Sequence, residues 1–423
     1  MKYVKEFECT LCGKKYSDFE LLTCLECGEE GILEINYDYT EMKKEVNKEY
    51  FANNHDYSIY RYLPMLPIKN KVEGSLKVGW TPLYESKNLK AELGVKELYF
   101  KDEGLNPTGS LKDRASLIAC IKAIEQKKDV ICCSSTGNAA SSLAGNAAKL
   151  GLKTVICVPE RAPLGKVSQL LIYGSNLIKV QGDYKDAFSS SKAIIDEFGF
   201  YNRNAAINPH LVEGKKTVAL EISEQLGFKD IDNVFVSVGD GCTIYGVYKG
   251  FYDLFQLGII NKIPKVIGVQ SDGCSPFYNA WIDKTSLKET DENTIADSIA
   301  VGIPRNPVKG LKAVIKSHGF YMTVTDKEIL TAMKTLGNNE GIFAEPAASA
   351  VYAGFEKAVN EKMISKQDIS VVIVTGNGLK DQASAAKSVE VPRSIKKDEL
   401  VNKIKNRNQS SSNLTDFLSI LKN

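Results

Sequence analysis

Lys101-Asp102-Glu103-Gly104-Leu105-Asn106-Pro107-Thr108-Gly109-Ser110-Leu111-Lys112-Asp113-Arg114 is the segment from which the architecture of this chain is read. It starts at the end of a short run, Leu98–Lys101, with strand character, passes through a turn-rich stretch and opens into a helix with Lys112 at its start. An ammonium near a helix N-terminus is disfavoured by the helix dipole, which lowers its pKa and frees its lone pair for attack on an aldehyde. On both sides the same alternation recurs. Val130–Cys133, Thr154–Val158, Leu177–Val180, Val234–Val238, Lys265–Val269 and Val371–Val374 are short β-branched runs separated by stretches that read as helix. This predicts an α/β fold with largely parallel sheets, in which loops at the carboxyl ends of strands hold the ligand.

Two more such loops have chemical character. Ser134-Ser135-Thr136-Gly137-Asn138-Ala139-Ala140 follows a strand and begins a helix of small residues, so its hydroxyls and free backbone N–H groups suit a carboxylate. Gly239-Asp240-Gly241-Cys242-Thr243 follows Val234–Val238 and opens another helix, the arrangement of a phosphate cradle. One glycine loop at a strand end is commonly no more than a tight turn. The order and company of the three carry the reading.

Taken together, these segments resemble the threonine synthase family of the fold-type-II pyridoxal-phosphate enzymes, a group that also includes serine and threonine dehydratases and cysteine synthases. The resemblance spans residues 79–391 and is most specific in the stretch ending at Arg114, where Leu111 stands at a position often held by phenylalanine. It implies a tryptophan-synthase-β-like fold of two three-layer α/β subdomains, pyridoxal phosphate as cofactor, a small amino acid as substrate, and a homodimer. By motif match, Lys112 carries the cofactor, Asn138 bonds its phenolic oxygen, and Gly239, Asp240, Gly241, Cys242 and Thr243 hold its phosphate. Ser135, Thr136 and Ala139 line the substrate-carboxylate site. Thr375, in Thr375-Gly376-Asn377-Gly378-Leu379-Lys380-Asp381, faces the pyridine nitrogen. A hydroxyl there does not keep a full proton on the ring nitrogen as an aspartate would, so transamination is suppressed and elimination or replacement at Cβ or Cγ is favoured. Lys112, displaced by the substrate amine, is then the general base beside Cα.

The chain departs from the family in one run. Where threonine synthases bind phosphate through Asn-Ser-x-Asn-Pro-x-Arg, this sequence has Ala205-Ala206-Ile207-Asn208-Pro209-His210-Leu211. Loss of the arginine and of two hydrogen-bonding side chains removes charge-assisted phosphate contacts. If Ala205, Ala206 and Leu211 line the distal end of the pocket, phosphate is poorly held and a short amino acid with its leaving group on Cβ is preferred over O-phosphohomoserine. His210, after a proline, is expected to face solvent. Asp240 places a carboxylate in the phosphate cradle, where like charges repel unless the side chain turns away; Cys242 beside it reads as a small buried residue. Three functions remain open on these residues: threonine synthase itself, a dehydratase, ammonia-lyase or β-replacement enzyme, and a non-enzymatic sensor of pyridoxal phosphate.

Outside the catalytic segment, Cys9-x-x-Cys12 and Cys24-x-x-Cys27 are separated by eleven residues, and Cys12 and Cys27 are each followed by glycine. This is a zinc-ribbon pattern, also found in some family members, and four thiolates leave no open position on the metal, so the expected Zn²⁺ is structural. Residues 1–35 hold eight Asp/Glu against four Lys, which excludes nucleic acid as the ribbon's partner. The remaining six of ten cysteines read as buried thiols. The expected layout is a ribbon at 1–35, a Tyr-rich arm at 36–76 with a surface His55, a catalytic body at 77–390 and a tail at 391–423. That tail holds seven Lys/Arg against three Asp/Glu and ends in an apolar-periodic piece, Leu414, Phe417, Leu418 and Leu421, read as a linker and docking helix. The charged N-terminus and the lack of a long apolar stretch predict a cytoplasmic protein with no membrane span.

Overall fold

A computed structural model describes residues 1–162, 164–182, 184–390, 392 and 394–405. Strands β1 (Val4–Cys9), β2 (Lys15–Tyr16), β3 (Thr23–Cys24) and β4 (Gly28–Tyr37) form an antiparallel N-terminal sheet in the order β2-β1-β4-β3. β5 (Leu83–Glu85) and β6 (Glu97–Asp102) open the large sheet of the body. β7 (Val130–Ser134), β8 (Lys153–Pro159), β9 (Asn176–Val180) and β10 (Tyr201–Asn202) form a parallel sheet ordered β10-β7-β8-β9. β11 (Asn233–Ser237), β12 (Lys265–Ser271), β13 (Tyr321–Val324) and β14 (Ile369–Val374) complete the large sheet, ordered β13-β12-β11-β14-β6-β5 and parallel except for β5. All seven runs expected as strands are strands. β5 and β10 are too short for alternation to reveal them.

β14 lies between β11 and β6, and its Val371, Val372, Ile373 and Val374 are all buried, as a central parallel strand covered on both faces requires. The carboxyl ends of β6, β7, β11 and β14 lead into the lysine, carboxylate, cradle and Thr375 loops respectively. The helix Lys112–Glu125 is pinned at its first turn by charges without solvent. Arg114 Nε donates to Glu103 at 2.6 Å and Nη1 to Glu221 at 2.5 Å, while Lys101 Nζ donates to Glu221 at 2.8 Å. These side chains have 0% exposure. Burial holds the Lys101 ammonium below the usual lysine range, and the two cations pull Glu221 down to about 2 against the opposing cost of burial.

Helix His210–Gln225 crosses that helix closely because Gly214 has no side chain: a Cβ there would lie 2.3 Å from the Arg114 carbonyl oxygen. The N-terminal sheet docks on the same helix. Tyr37 Oη donates to Glu213 at 2.7 Å, the sheet also meets helix Pro307–Lys316, where Lys309 Nζ donates to the Leu33 carbonyl at 2.6 Å, and Lys216 ties helix His210–Gln225 to Asp253 of helix Cys242–Gln256 at 2.6 Å. His210 is buried, contrary to the expectation for a residue after proline, because it is the first residue of this helix and supports the docked sheet. Its ring packs edge-on against Phe7 at 5.6 Å and its Nδ1 faces Asn208 Oδ1 at 3.0 Å, and burial pushes it down to about 3.

His55 is exposed and the six scattered cysteines are buried, as expected. Helix Lys397–Lys405 ends the described part of the tail; the docking helix expected around Leu414–Leu421 lies outside the described residues. Among the described residues no helix is long and apolar enough to cross a membrane.

Glu221→Ala leaves Arg114 and Lys101 short of a buried counter-charge, and is expected to lower the stability of the body by about 3–5 kcal/mol. The denaturant midpoint followed by circular dichroism measures this; a midpoint unchanged from wild type would refute the role given to the cluster.

Candidate functional site

A cavity of about 830 Å³ lies at the carboxyl ends of both body sheets, and the sequence-selected residues line it: Lys112, Asn138, Ser135, Thr136, Ala139, the run Gly239–Thr243, and Thr375. Lys112 is the first residue of its helix. Its ammonium is held below the ordinary lysine range, first by desolvation, with Arg203 acting in the same direction and Cys242, Asp240 and Glu345 opposing. The loop before it is tied to the Thr375 loop: Leu111 N–H donates to the Thr375 carbonyl at 2.9 Å and Asn377 N–H to the Gly109 carbonyl at 3.0 Å. Thr375 Oγ1 lies 3.4 Å from Ser237 Oγ, so two hydroxyls meet at one wall.

Asn138 opens the helix Asn138–Lys149 and its Nδ2 donates to both carboxylate oxygens of Glu345, at 3.0 and 2.9 Å. Ser135 and Thr136 are half-buried at the same helix end, and Ser135 Oγ accepts from Gly137 N–H at 3.2 Å. Glu345 was not selected from the sequence. Its signal was the Glu345-Pro346 pair, acid then proline at the start of helix Pro346–Asn360. Burial raises its carboxyl above the usual range.

The cradle depends on Gly241, which has φ of 86° and leads into helix Cys242–Gln256. A Cβ there would sit 2.7 Å from the Asn306 carbonyl oxygen and 2.7 Å from the Phe277 ring, so both its conformation and its space require glycine. Asp240 Oδ1 accepts from the Arg305 backbone N–H at 3.3 Å, and the residue still lines the cavity. Cys242 is buried, as expected, and receives a 3.5 Å hydrogen bond from Asn306 Nδ2. The Arg305 side chain reaches across the mouth to donate to Tyr184 Oη at 2.9 Å and lies 4.0 Å from the Phe188 ring centre.

The Ala205–Leu211 run does not line the distal end of the pocket as a unit. Ala205 lines the cavity, but Ala206 and Leu211 belong to hydrophobic core clusters, because the helix that starts at His210 turns Leu211 toward the small sheet. Nor is the cavity uncharged. Arg203 and Lys215, both buried, line it. Arg203 Nε and Nη2 donate to Ser116 Oγ at 3.2 and 3.1 Å, and neither cation pairs with an acid among the described residues. Lys215 is pushed down to about 8, chiefly by burial, with Lys112 and Arg203 adding to the shift and Cys242 and Asp240 opposing it. Lys215 stands four residues beyond Leu211, one helical turn on, which was the available signal for a cation displaced along the same helix.

Cys9, Cys12, Cys24 and Cys27 form a second constellation, with their Sγ atoms all within 4.8 Å of one another. Leu11 and Cys27 N–H groups donate to the sulfurs of Cys9 and Cys24, each at 3.4 Å. This donor set suits a tetrahedral thiolate-bound ion.

The main cavity fits pyridoxal phosphate: a desolvated lysine, an N-terminal helix cradle built on Gly241, a carboxamide at Asn138 and a hydroxyl at Thr375 face one space. Residues 74–376 match the family model described as pyridoxal-phosphate dependent enzyme. The threonine synthase of Methanocaldococcus jannaschii is 41% identical over 394 residues, covering 92% of this chain and 96% of that protein. The threonine synthase of Methanosarcina acetivorans is 36% identical over 389 residues, covering 91% and 94%. The processed form of threonine deaminase isoform 2 from Solanum lycopersicum shares the fold, with a TM-score of 0.65 at 22% identity over 80% of this chain and 94% of that one. The chain therefore belongs to the pyridoxal-phosphate-dependent enzymes and, within them, to the threonine synthase family of lyases, whose chemistry is elimination or replacement at Cβ or Cγ of a small amino acid.

Proposed function

We propose that this enzyme acts on a short α-amino acid whose side chain ends in a phosphate ester, releasing phosphate by elimination or replacement. The observation that carries the reading is that Arg203 and Lys215 line the Lys112 cavity and neither forms an ion pair with an acid among the described residues. A buried cation with no counter-ion is costly, and that cost is relieved when an anion occupies the cavity. Bound pyridoxal phosphate supplies an aldehyde for an amine and an electron-withdrawing ring that acidifies Cα. Lys112 would hold it, with Asn138, residues Gly239–Thr243 and Thr375 as the groups that would bind its phenolic side, its phosphate and its ring nitrogen. The helix end at Ser135, Thr136 and Ala139 takes the substrate carboxylate. Lys112, once released, would accept the α-proton, and burial, which lowers its basicity, favours the neutral amine this needs. Arg203 and Lys215 draw charge from the departing phosphate.

Both O-phosphohomoserine, suggested by the named relatives, and O-phosphoserine, suggested by the displacement of cations from Leu211 to Lys215, satisfy this chemistry. Phosphate release from each is measured against serine and threonine. A phosphate ester with kcat/KM well above both hydroxy amino acids is expected, and the longer or shorter ester names the reaction. Serine or threonine turned over as well as either ester would refute the reading.

Lys112→Ala is expected to remove both the yellow cofactor absorbance and turnover; unchanged turnover would end the proposal. The Lys215 ammonium binds the anion only while protonated, so KM for the ester should rise as pH climbs through about 8. Lys215→Met should flatten that rise and increase KM about tenfold to a hundredfold, the loss of one charge-assisted contact. A wild-type KM level from pH 7 to 9 would contradict it.

We further propose one structural Zn²⁺ per chain on Cys9, Cys12, Cys24 and Cys27, in a homodimeric cytoplasmic enzyme. Metal analysis of reduced protein should find about one zinc per chain. Its absence from freshly prepared, fully folded protein would exclude the metal.

A further inference from the structure

A second cavity, of about 640 Å³, shares the Thr136–Asn138 turn and Glu345 with the first and is lined on its far side by Ser141, Gln169, Asn377 and Lys380. Lys380 has no part in the chemistry above. It lies in the loop after β14, five residues beyond Thr375, yet its Nζ reaches out of the large-sheet subdomain. It donates to Ser141 Oγ at 2.9 Å and to Gln169 Oε1 at 3.0 Å. Ser141 is one turn into the helix that Asn138 begins, and its hydroxyl in turn lies 3.4 Å from the Asn138 carbonyl. Gln169 is on the separate helix Leu164–Ile172. One ammonium thus touches two helices that flank the small sheet, from a loop bonded to the Lys112 loop through Leu111 and Asn377.

We infer that Lys380 is a positioning residue: it ties the small-sheet subdomain to the Thr375 loop and sets where the Ser135–Asn138 turn meets the substrate carboxylate. The inference rests on the proposed carboxylate site at that turn. The nature of the tie supports it. Both acceptors are neutral, and no acid pairs with Lys380 among the described residues, whereas the core cluster of Lys101, Glu103, Arg114 and Glu221 is fully ion-paired. A broken buried ion pair leaves an uncompensated charge, but an ammonium on a hydroxyl and an amide exchanges partners, or a water for either, at small cost. The tie therefore holds the two subdomains in register and still permits them to shift when a carboxylate arrives. Further contacts across the same gap, from Asn138 to Glu345 and to Ser298 Oγ at 3.3 Å, are made at the turn itself and share its fate.

The test compares wild-type, Lys380→Met and Lys380→Arg holoenzymes. Lys380→Met is expected to keep the cofactor absorbance, to raise KM for the amino acid about tenfold or more with a smaller change in kcat, and to speed deuterium uptake in residues 138–149 and 164–172. Lys380→Arg, which keeps charge and donors, should recover most of both. Wild-type KM and exchange in Lys380→Met would overturn the inference, as would loss of the cofactor together with substrate binding, which marks a merely structural residue. Failure of the underlying reading would show in the wild type, as no amino acid turned over; the exchange measurement decides the tie in that case too.

Discussion

Four buried side chains hold this enzyme's chemistry in place: Lys101, Glu103, Arg114 and Glu221, two cations and two carboxylates without solvent exposure. They come from the end of β6, the turn after it, the first helical turn after Lys112, and the helix His210–Gln225. Charges taken out of water are tolerated only when matched in number and geometry, so the cluster admits one relative placement of these elements. Lys112 is two residues from Arg114, and Lys215 is on the helix that carries Glu221. Lys112 and Lys215, which face the cavity, are therefore placed by a set of charges that lies outside it.

The cavity obeys the opposite rule. Arg203 and Lys215 are buried too but form no ion pair with an acid among the described residues, and the Lys112 ammonium is itself held down by desolvation. Matched charge builds the scaffold; unmatched charge awaits a ligand. Asp240, a carboxylate in the same lining, is held at one oxygen by the Arg305 backbone N–H. Gly241 and the first turn of helix Cys242–Gln256 can present backbone N–H groups.

The strands, the gathering of the Lys112, Ser135–Ala139, Gly239–Thr243 and Thr375 loops on one cavity, and the four-thiol group were legible in the sequence because each is a local pattern: a period, a turn signature or a spacing. What escaped was made by folding. Glu345 lies far along the chain from Asn138, and only the packing of two helix starts brings them within hydrogen-bond reach. Leu211, at a family position expected to face the ligand, packs in the small-sheet core, and Lys215 one turn later lines the cavity. His210 failed for a related reason, since the residue after Pro209 begins a buried helix and is not part of a loop. The long run from Gly239 to Arg305 holds no local sign that its two ends meet.

The most direct test of the central claim, that unpaired cations in the Lys112 cavity recruit a second phosphate besides that of the cofactor, is phosphorus NMR of the holoenzyme titrated with a phosphonate analogue of the substrate. Two bound signals are expected, one from the cofactor and one saturating with the analogue, and Lys215→Met should weaken only the second. A second signal that saturates identically in Lys215→Met, or no bound signal beyond the cofactor's, would contradict it.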